Sequence, residues 1–502
     1  MNTLTDLLYG LSVALQPMNL LYCFIGAASG AIVGALPGLG PSAGTAILLP
    51  LTFGMNPTSG IIMLCGMYYG CMYGGGITAI LLGIPGDSAA VATTFDGYPM
   101  NKQQKRPGAA LGTSFLSSFI GGTLCIILFT FLAPALARYT LTFGPPEYFA
   151  LMLMGLTMVS ALTGDNPIKG YISAALGLAF SCVGADLVAG TFRYTFHQVH
   201  LIDGIDFVCA AMGLFGIAEI VNNSIKDGYG DMGISKEDVK LSKMFPRKNE
   251  WKYLAPSIGS GSLIGFFIGM LPGAGATIAS FLSYGLNKRT SPRGEEFGTG
   301  VPEGIACCES ANNAASIGAM VPMLTLGVPG SGATAVMMGA LMMFSMTPGP
   351  LMFQNNKDFI WGLTASMYVG NFAIFLLCML TAIYMVKILQ IPIDLLNAVV
   401  MAFIFIGAFS LENSLFNVGL TIFFGVLGYL MKKMQYPAAP FVLSLVLGNL
   451  FEKNLRQSLI LSNNSFAIFF NRPISAAIMA IVIIVVLRPI LMKLVRTVRK
   501  TS

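Results

Sequence analysis

Apolar runs of about 17 to 25 residues, long enough to cross hydrocarbon as single helices, recur along the whole chain between short polar loops. In the first half they fall at 108–137, 147–163, 170–190 and 205–222, and in the second at 360–386, 394–411, 415–431 and 437–451. A further run at 474–495 has no partner in the first half. It ends in Arg496, Arg499 and Lys500 and predicts an appended C-terminal helix. Residues 1–18 find no place in this pattern.

Helix breakers interrupt the apolar sequence in matched pairs. Gly34-Ala35-Leu36-Pro37-Gly38-Leu39-Gly40 recurs as Gly269-Met270-Leu271-Pro272-Gly273-Ala274-Gly275, and Gly83-Ile84-Pro85-Gly86 recurs as Gly327-Val328-Pro329-Gly330. Backbone freed from a helix in hydrocarbon leaves polar groups unsatisfied at several kcal/mol each unless protein, ligand or water satisfies them. Interruptions at corresponding places in two halves therefore point to a transporter's binding site. A weaker echo pairs Gly213-Leu214-Phe215 and Glu219 with Gly448-Asn449-Leu450-Phe451 and Glu452; both acids stand at helix ends near basic loops and read as structural.

Charge in the loops gives the relative direction of the halves. The one long polar stretch, 226–252, is basic and joins them, which places it in the cytoplasm. After the first GxPG break come Lys102, Lys105 and Arg106, against only Lys357 after the second. After the LPGxG motif the bias reverses, with no basic residue at 53–58 but Lys288, Arg289 and Arg293 after the second copy. Parallel repeats would keep their sides, whereas inverted repeats exchange them. The predicted fold is an all-α polytopic membrane protein of two inverted-topology repeats, each with a re-entrant hairpin, a broken helix and four further helices, for about 11 crossings plus 2 hairpins. The boundaries are a first repeat at 1–225 (hairpin 19–55, broken helix 59–99), a cytoplasmic basic linker at 226–252, a second repeat at 253–451 (hairpin 254–287, broken helix 313–346), and the extra helix and basic tail at 452–502.

Composition agrees with this class. Hydrophobic residues make up 55% and charged residues only 10% of the 502, outside the range of an ordinary soluble domain. The net charge of +6 sits in short loops, where it orients a membrane protein, so no nucleic-acid reading survives. Nine cysteines without CxxC spacing read as small buried hydrophobes. The N-terminal residues lack a basic n-region and a small-residue cleavage signature, so no removable signal peptide is expected.

Half-helix ends meeting near the bilayer midplane would bring N-termini, with roughly half a positive charge each, toward one point that attracts an anion without arginine. Residues at the breaks suit a carboxylate ligand. Gly38, Gly40, Gly86, Gly273, Gly275 and Gly330 let backbone approach it, and Ser42, Thr45, Ser88, Thr277, Ser331 and Thr334 supply hydroxyls. Close packing by small residues is the alternative for any one of them. Asp87 reads equally as a cation or proton holder and as a helix N-cap. The stretch Glu303–Asn313 is the most polar approach to any break. In it Glu309 and Asn313 share a helix face with Asn312 adjacent, as contacts for substrate or coupling ion, or as a loop cap at the membrane surface. His197 and His200 lack the further ligands a metal requires. No nucleophile, base and orienter set, Walker loop or Rossmann fingerprint occurs, and Gly74–Gly76 reads as helix packing. The chain is therefore not expected to be an enzyme, to hold a cofactor or metal, or to draw on ATP.

The segments GALPGLGPSAGTAILLPLTFGMNP, YGGGITAILLGIPGDSAAVATTFDGYPM, GMLPGAGATIASFLSYGLNK and PEGIACCESANNAASIGAMVPMLTLGVPGSGATA resemble the large membrane subunit of bacterial tripartite tricarboxylate transporters, the TctA family. The likeness spans nearly the whole chain. Its motifs fall on Gly34–Thr45, Gly83–Ser88, Gly269–Thr277, Glu309–Asn313 and Gly327–Thr334, with Cys307-Cys308 departing from the small residues expected there. The resemblance implies a small four-helix membrane subunit, a periplasmic solute-binding protein, location in the bacterial inner membrane, and uptake of a carboxylate such as citrate driven by a sodium or proton gradient. An anion channel or passive facilitator is the alternative that the same dipoles would serve.

Overall fold

The computed structural model describes residues 3–36, 39–162, 167–186, 191–223, 240–273, 275–388, 393–410 and 413–486. Helices dominate them: α1 (Thr3–Ala14), α2 (Pro17–Ala35), α3 (Pro41–Leu48), α4 (Pro57–Leu82), α5 (Thr94–Lys102), α6 (Pro107–Thr140), α7 (Pro145–Leu162), α8 (Pro167–Ser181), α9 (207–223), α10 (Trp251–Gly269), α11 (Gly275–Thr290), α12 (Pro302–Leu326), α13 (Gly332–Met343), α14 (Lys357–Ile388), α15 (Ile393–Ser410), α16 (Leu415–Lys433), α17 (Ala438–Leu461) and α18 (Pro473–Val486). Many start on proline, whose missing N–H costs nothing in a first turn. Among the described residues the strands are the two-residue pieces Gly184–Ala185 and Phe192–Arg193, paired antiparallel. Most of the expected linker, the basic tail, Gly38 and the Glu219 side chain lie outside the described residues.

Five helices, α2, α4, α6, α14 and α16, are long and apolar enough to span a membrane, as a polytopic membrane protein requires. Two helices form the centre. Every residue of the apolar window in α4 is buried, and α12 is buried from Pro302 to Thr325. Small residues bring a neighbour against each. A Cβ at Gly26, Gly30 or Gly34 of α2 would meet the backbone carbonyls of Met63, Met67 and Cys71 in α4. Gly261, Gly265 and Gly269 of α10 stand in the same way against Cys307, Ala311 and Ala315 of α12. Backbones this close exchange dispersion contacts that bulkier side chains would forbid.

Both central helices end alike. Gly83 and Gly327 take left-handed φ of 69° and 68°, a conformation that other residues adopt only with strain. Pro85 and Pro329 follow, and the chain resumes as the 3₁₀ turn Ser88–Val91 with α5 in the first half and as α13 in the second.

Several boundaries differ from the sequence pattern. The second broken helix begins at Pro302 rather than 313, because Val301 is extended and Pro302 opens the helix. The polar stretch 303–313 is thus helical and buried, and the surface loop-cap reading of it fails. The first broken helix spans 57–82 and resumes to Lys102, and the paired helices at the LPGxG motifs run 17–48 and 251–290. Helix α8 stops at Ser181, ahead of 190. Helix α17 continues to Leu461, past the expected boundary at 451, because charge pairing there replaces apolar burial. Glu452 accepts both guanidinium nitrogens of Arg193 at 3.0 Å and lies 2.5 Å from Arg456, which also reaches Asp186 at 3.1 Å. The N-terminal residues find their place as well. Helix α1 packs on α14, with Gly10 against the Trp361 carbonyl.

Candidate functional site

All four breaks reach one cavity of about 180 Å³. Its wall takes Pro41 and Ser42 after the first tip, Asp87 and Ser88 after the first GxPG break, Gly273, Gly275 and Thr277 at the second tip, and Gly330, Ser331 and Gly332 after the second break. Tyr68 and Met72 of α4 and Ala439 and Leu443 of α17 complete it. A second cavity, about 670 Å³, shares Pro41, Ser42, Asp87 and Ser88 with the first and adds Gly40, Gly86, Leu214, Phe215, Lys432 and Tyr436. The two share a wall, and the larger carries a cation at Lys432.

The halves are tied together at the first cavity by side chains. Ser88 Oγ lies 2.7 Å from Thr277 Oγ1, and the Tyr68 hydroxyl lies 3.0 Å from Ser331 Oγ. A Cβ on Gly332 would meet Ser42 Oγ. Gly273 N–H donates to the Gly330 carbonyl at 3.2 Å, so the second tip is pinned to the second break. Gly86 and Gly330 are equally constrained. A side chain on Gly86 would enter the Gly34 carbonyl, and one on Gly330 would lie 2.8 Å from that of Gly269.

Three helix N-termini open on this cavity, those of α3, α11 and α13, through Pro41, Gly275 and Gly332. The expected fourth is not an α-helix end. Asp87 Oδ1 accepts the Ala90 N–H at 2.9 Å and closes a 3₁₀ turn there instead. At the matching place Ser331 caps α13 in a reciprocal box with Thr334. Asp87 is therefore an N-cap, as one reading of it expected, and it also lines the cavity. Helix N-terminal N–H groups and hydroxyls supply positive potential and donors, while Asp87 adds the one carboxylate at the wall among the described residues.

Other candidates stand elsewhere. Thr45 is buried and donates to the Pro41 and Ser42 carbonyls, and Thr334 is occupied by its capping box. Glu309, Asn312 and Asn313 lie in the interior of α12, outside the walls of either cavity. His200 stacks on Phe416, with ring centroids 5.1 Å apart. Sequence reasoning missed Tyr68, Met72, Ala439, Leu443, Lys432 and Tyr436. It also missed the π-helical segment Met212–Ile217 that carries Leu214 and Phe215 to the larger cavity. π-helical turns concentrate at functional sites, but their position carries no signal of its own in the sequence.

The tripartite tricarboxylate transporter TctA family model matches residues 20–443, across all four breaks. The chain belongs to this family. It is similar to an uncharacterized 52.8 kDa protein in the TAR-I ttuC' 3'region of Agrobacterium vitis, 38% identical over 96% of this chain and 95% of that protein. An uncharacterized protein in the TAR-II ttuC' 3'region of the same organism is 37% identical over 45% of this chain and 94% of its own length. No solved structure matches. Membership in the TctA family makes this the large membrane subunit of a tripartite tricarboxylate transporter, in a family of transporters rather than enzymes. It implies a small membrane partner and a periplasmic binding protein.

Proposed function

We propose that this TctA-family chain imports a di- or tricarboxylate, citrate-like in charge, across the bacterial inner membrane by secondary active transport. The observation that carries the reading is the convergence of both halves on one cavity, with Ser88 facing Thr277 and Tyr68 facing Ser331. Hydroxyls and helix N-termini suit a carboxylate without an arginine clamp. A solute-binding protein delivers the substrate and a small four-helix subunit completes the membrane complex.

Two inverted repeats account for the recurring contacts. The α2 glycines meet α4 as the α10 glycines meet α12, and Asp87 caps its turn as Ser331 caps α13. In this reading α2–α3 and α10–α11 are re-entrant hairpins with their tips at the site. Together with the broken helices they form a unit that moves as an elevator against the remaining helices. Inverted repeats supply two facing states by exchanging conformations. A sodium or proton gradient drives accumulation, with Asp87 and Glu309 as the candidate coupling groups.

The test is reconstitution of the chain with its two partners and measurement of labelled citrate uptake under imposed sodium or proton gradients. Accumulation above equilibrium supports the proposal. Uptake that stops at equilibrium under every gradient means a passive facilitator instead.

A further inference from the structure

Glu309 is fully buried in α12, and among the described residues no lysine, arginine or histidine pairs with it. Its neighbours are hydroxyls. Thr93 donates to Oε1 at 2.6 Å and Ser118 to Oε2 at 3.4 Å. Ser114 Oγ is also fully buried, faces the same carboxylate, and has no other hydrogen-bond partner. A methyl group added at Gly76 would lie 2.9 Å from Ser114 Oγ and 3.0 Å from Glu309 Oε1.

We propose that this cage is a reversible proton-binding site, separate from the substrate cavity and connected to it through Asp87. An ionised carboxylate in the interior without a cation is neutralised most cheaply by binding a proton. Hydroxyls suit a site that must work in both states, because each can donate to the carboxylate and accept from the carboxylic acid. The Ser114 hydroxyl, with no other partner, is a third donor for the carboxylate when the proton leaves. A lysine or arginine would hold the site permanently ionised.

The connection runs over two adjacent glycines. A Cβ on Gly75 would lie 3.0 Å from Asp87 Oδ1, as one on Gly76 would from Glu309 Oε1, so the two carboxylates flank α4 at consecutive positions. Asp87 lines the cavity. No hydrogen bond joins the two carboxylates among the described residues, so transfer needs a bridging water: on release the Glu309 O–H bond breaks, the proton passes through that water to the Asp87 carboxylate and on into the cavity, and the Thr93, Ser114 and Ser118 hydroxyls donate to the bare Glu309. The other titratable groups on the packed elements include Tyr73 of α4, bonded to Asn371, Glu303 of α12, paired with Arg293, and Asp96 of α5. Asp96 is saturated by the N–H groups of Gly298, Gly300 and Val301 and by the Tyr284 hydroxyl of α11; Cys307 and Cys308 lie on α12 itself.

The site gives a role to the ion-driven reading above, and its first test needs no substrate. Infrared titration of the complete complex should reveal a protonated carboxylic acid band that disappears as pH rises and is lost in Glu309→Gln. In Glu309→Asp the band should return, shifted. An unchanged band in Glu309→Gln would overturn the proposal, as would a band that sodium ions remove at constant pH. The second test is citrate accumulation in liposomes, which a pH gradient should drive in the native complex and not in Glu309→Gln. Equal proton-driven accumulation in both would overturn it. A native complex that shows the titrating band but never accumulates citrate would retain the proton site and sink the transport reading alone.

Discussion

The Ser88 and Thr277 hydroxyls lie 2.7 Å apart, one following the first GxPG break and the other the second LPGxG tip. Each lines the cavity, so a carboxylate oxygen bound there can accept from both. Ser88→Ala and Thr277→Ala should each weaken citrate uptake about tenfold in apparent affinity. That corresponds to about 1.4 kcal/mol, close to the lower end for a hydrogen bond to a charged group. Concentration-dependent uptake checks it, and unchanged half-saturation in both variants would remove these hydroxyls from the site.

Asp87 and Ser331 cap the chain at matching places with different charge. Asparagine caps as well as aspartate. Asp87→Asn should therefore leave the thermal midpoint within about a degree while altering the ion dependence of uptake. Ser331→Asp should also keep its cap yet place a second negative charge on an anion site, so citrate uptake should fall by tenfold or more, about 1.4 kcal/mol upward. If Ser331→Asp transports normally, carboxylate binding at this wall is wrong.

Asp96 is fully buried and accepts three backbone N–H groups and the Tyr284 hydroxyl, at 2.8 to 2.9 Å. Asp96→Ala orphans all four donors and should cost at least about 3 kcal/mol, given about 1 to 3 kcal/mol for each buried group left unsatisfied. The measurements are the thermal midpoint in detergent and proteolysis in 291–301. A native-like cleavage rate would show that this carboxylate does not hold the loop before α12.

Gly70 of α4 faces the Ala27 carbonyl of α2, whereas Gly259 of α10 has open space where a side chain would go. Gly70→Ala should lower stability by about 1 to 3 kcal/mol or prevent folding, as overpacking does. Gly259→Ala should be neutral or slightly stabilising, alanine being the better helix former. Thermal unfolding of the pair separates packing from propensity.

Eight of the nine cysteines are buried and Cys182 is partly buried. A small maleimide should label Cys182 first, and Cys182→Ala should abolish the fast phase. Rapid labelling of Cys71 or Cys308, both against the centre of the molecule, would contradict the packing around α4 and α12.

The breaks were legible because glycine and proline inside apolar sequence have few other uses, and that alone located Ser42, Asp87, Ser88, Thr277 and Ser331. Tyr68, Met72 and Leu443 were not, since they lie within uninterrupted helices and reach the cavity only through the packing of α4 and α17. The polar run before the second break was legible as unusual but not as buried. Its partners Thr93, Ser114 and Ser118 come from sequence about 200 residues away. Helix α17 outran its apolar window for a similar reason, because Arg193 and Asp186 are distant in sequence from Glu452 and Arg456.

Gly74, Gly75 and Gly76 give α4 three successive faces without side chains, occupied in turn by the Ala31 carbonyl, Asp87 and Glu309. One residue of rotation, about 100°, would drive each occupant into a neighbour's place. The helix is thereby keyed like a shaft in its housing. Any rearrangement of the molecule must carry α2, the first break and Glu309 of α12 along with α4.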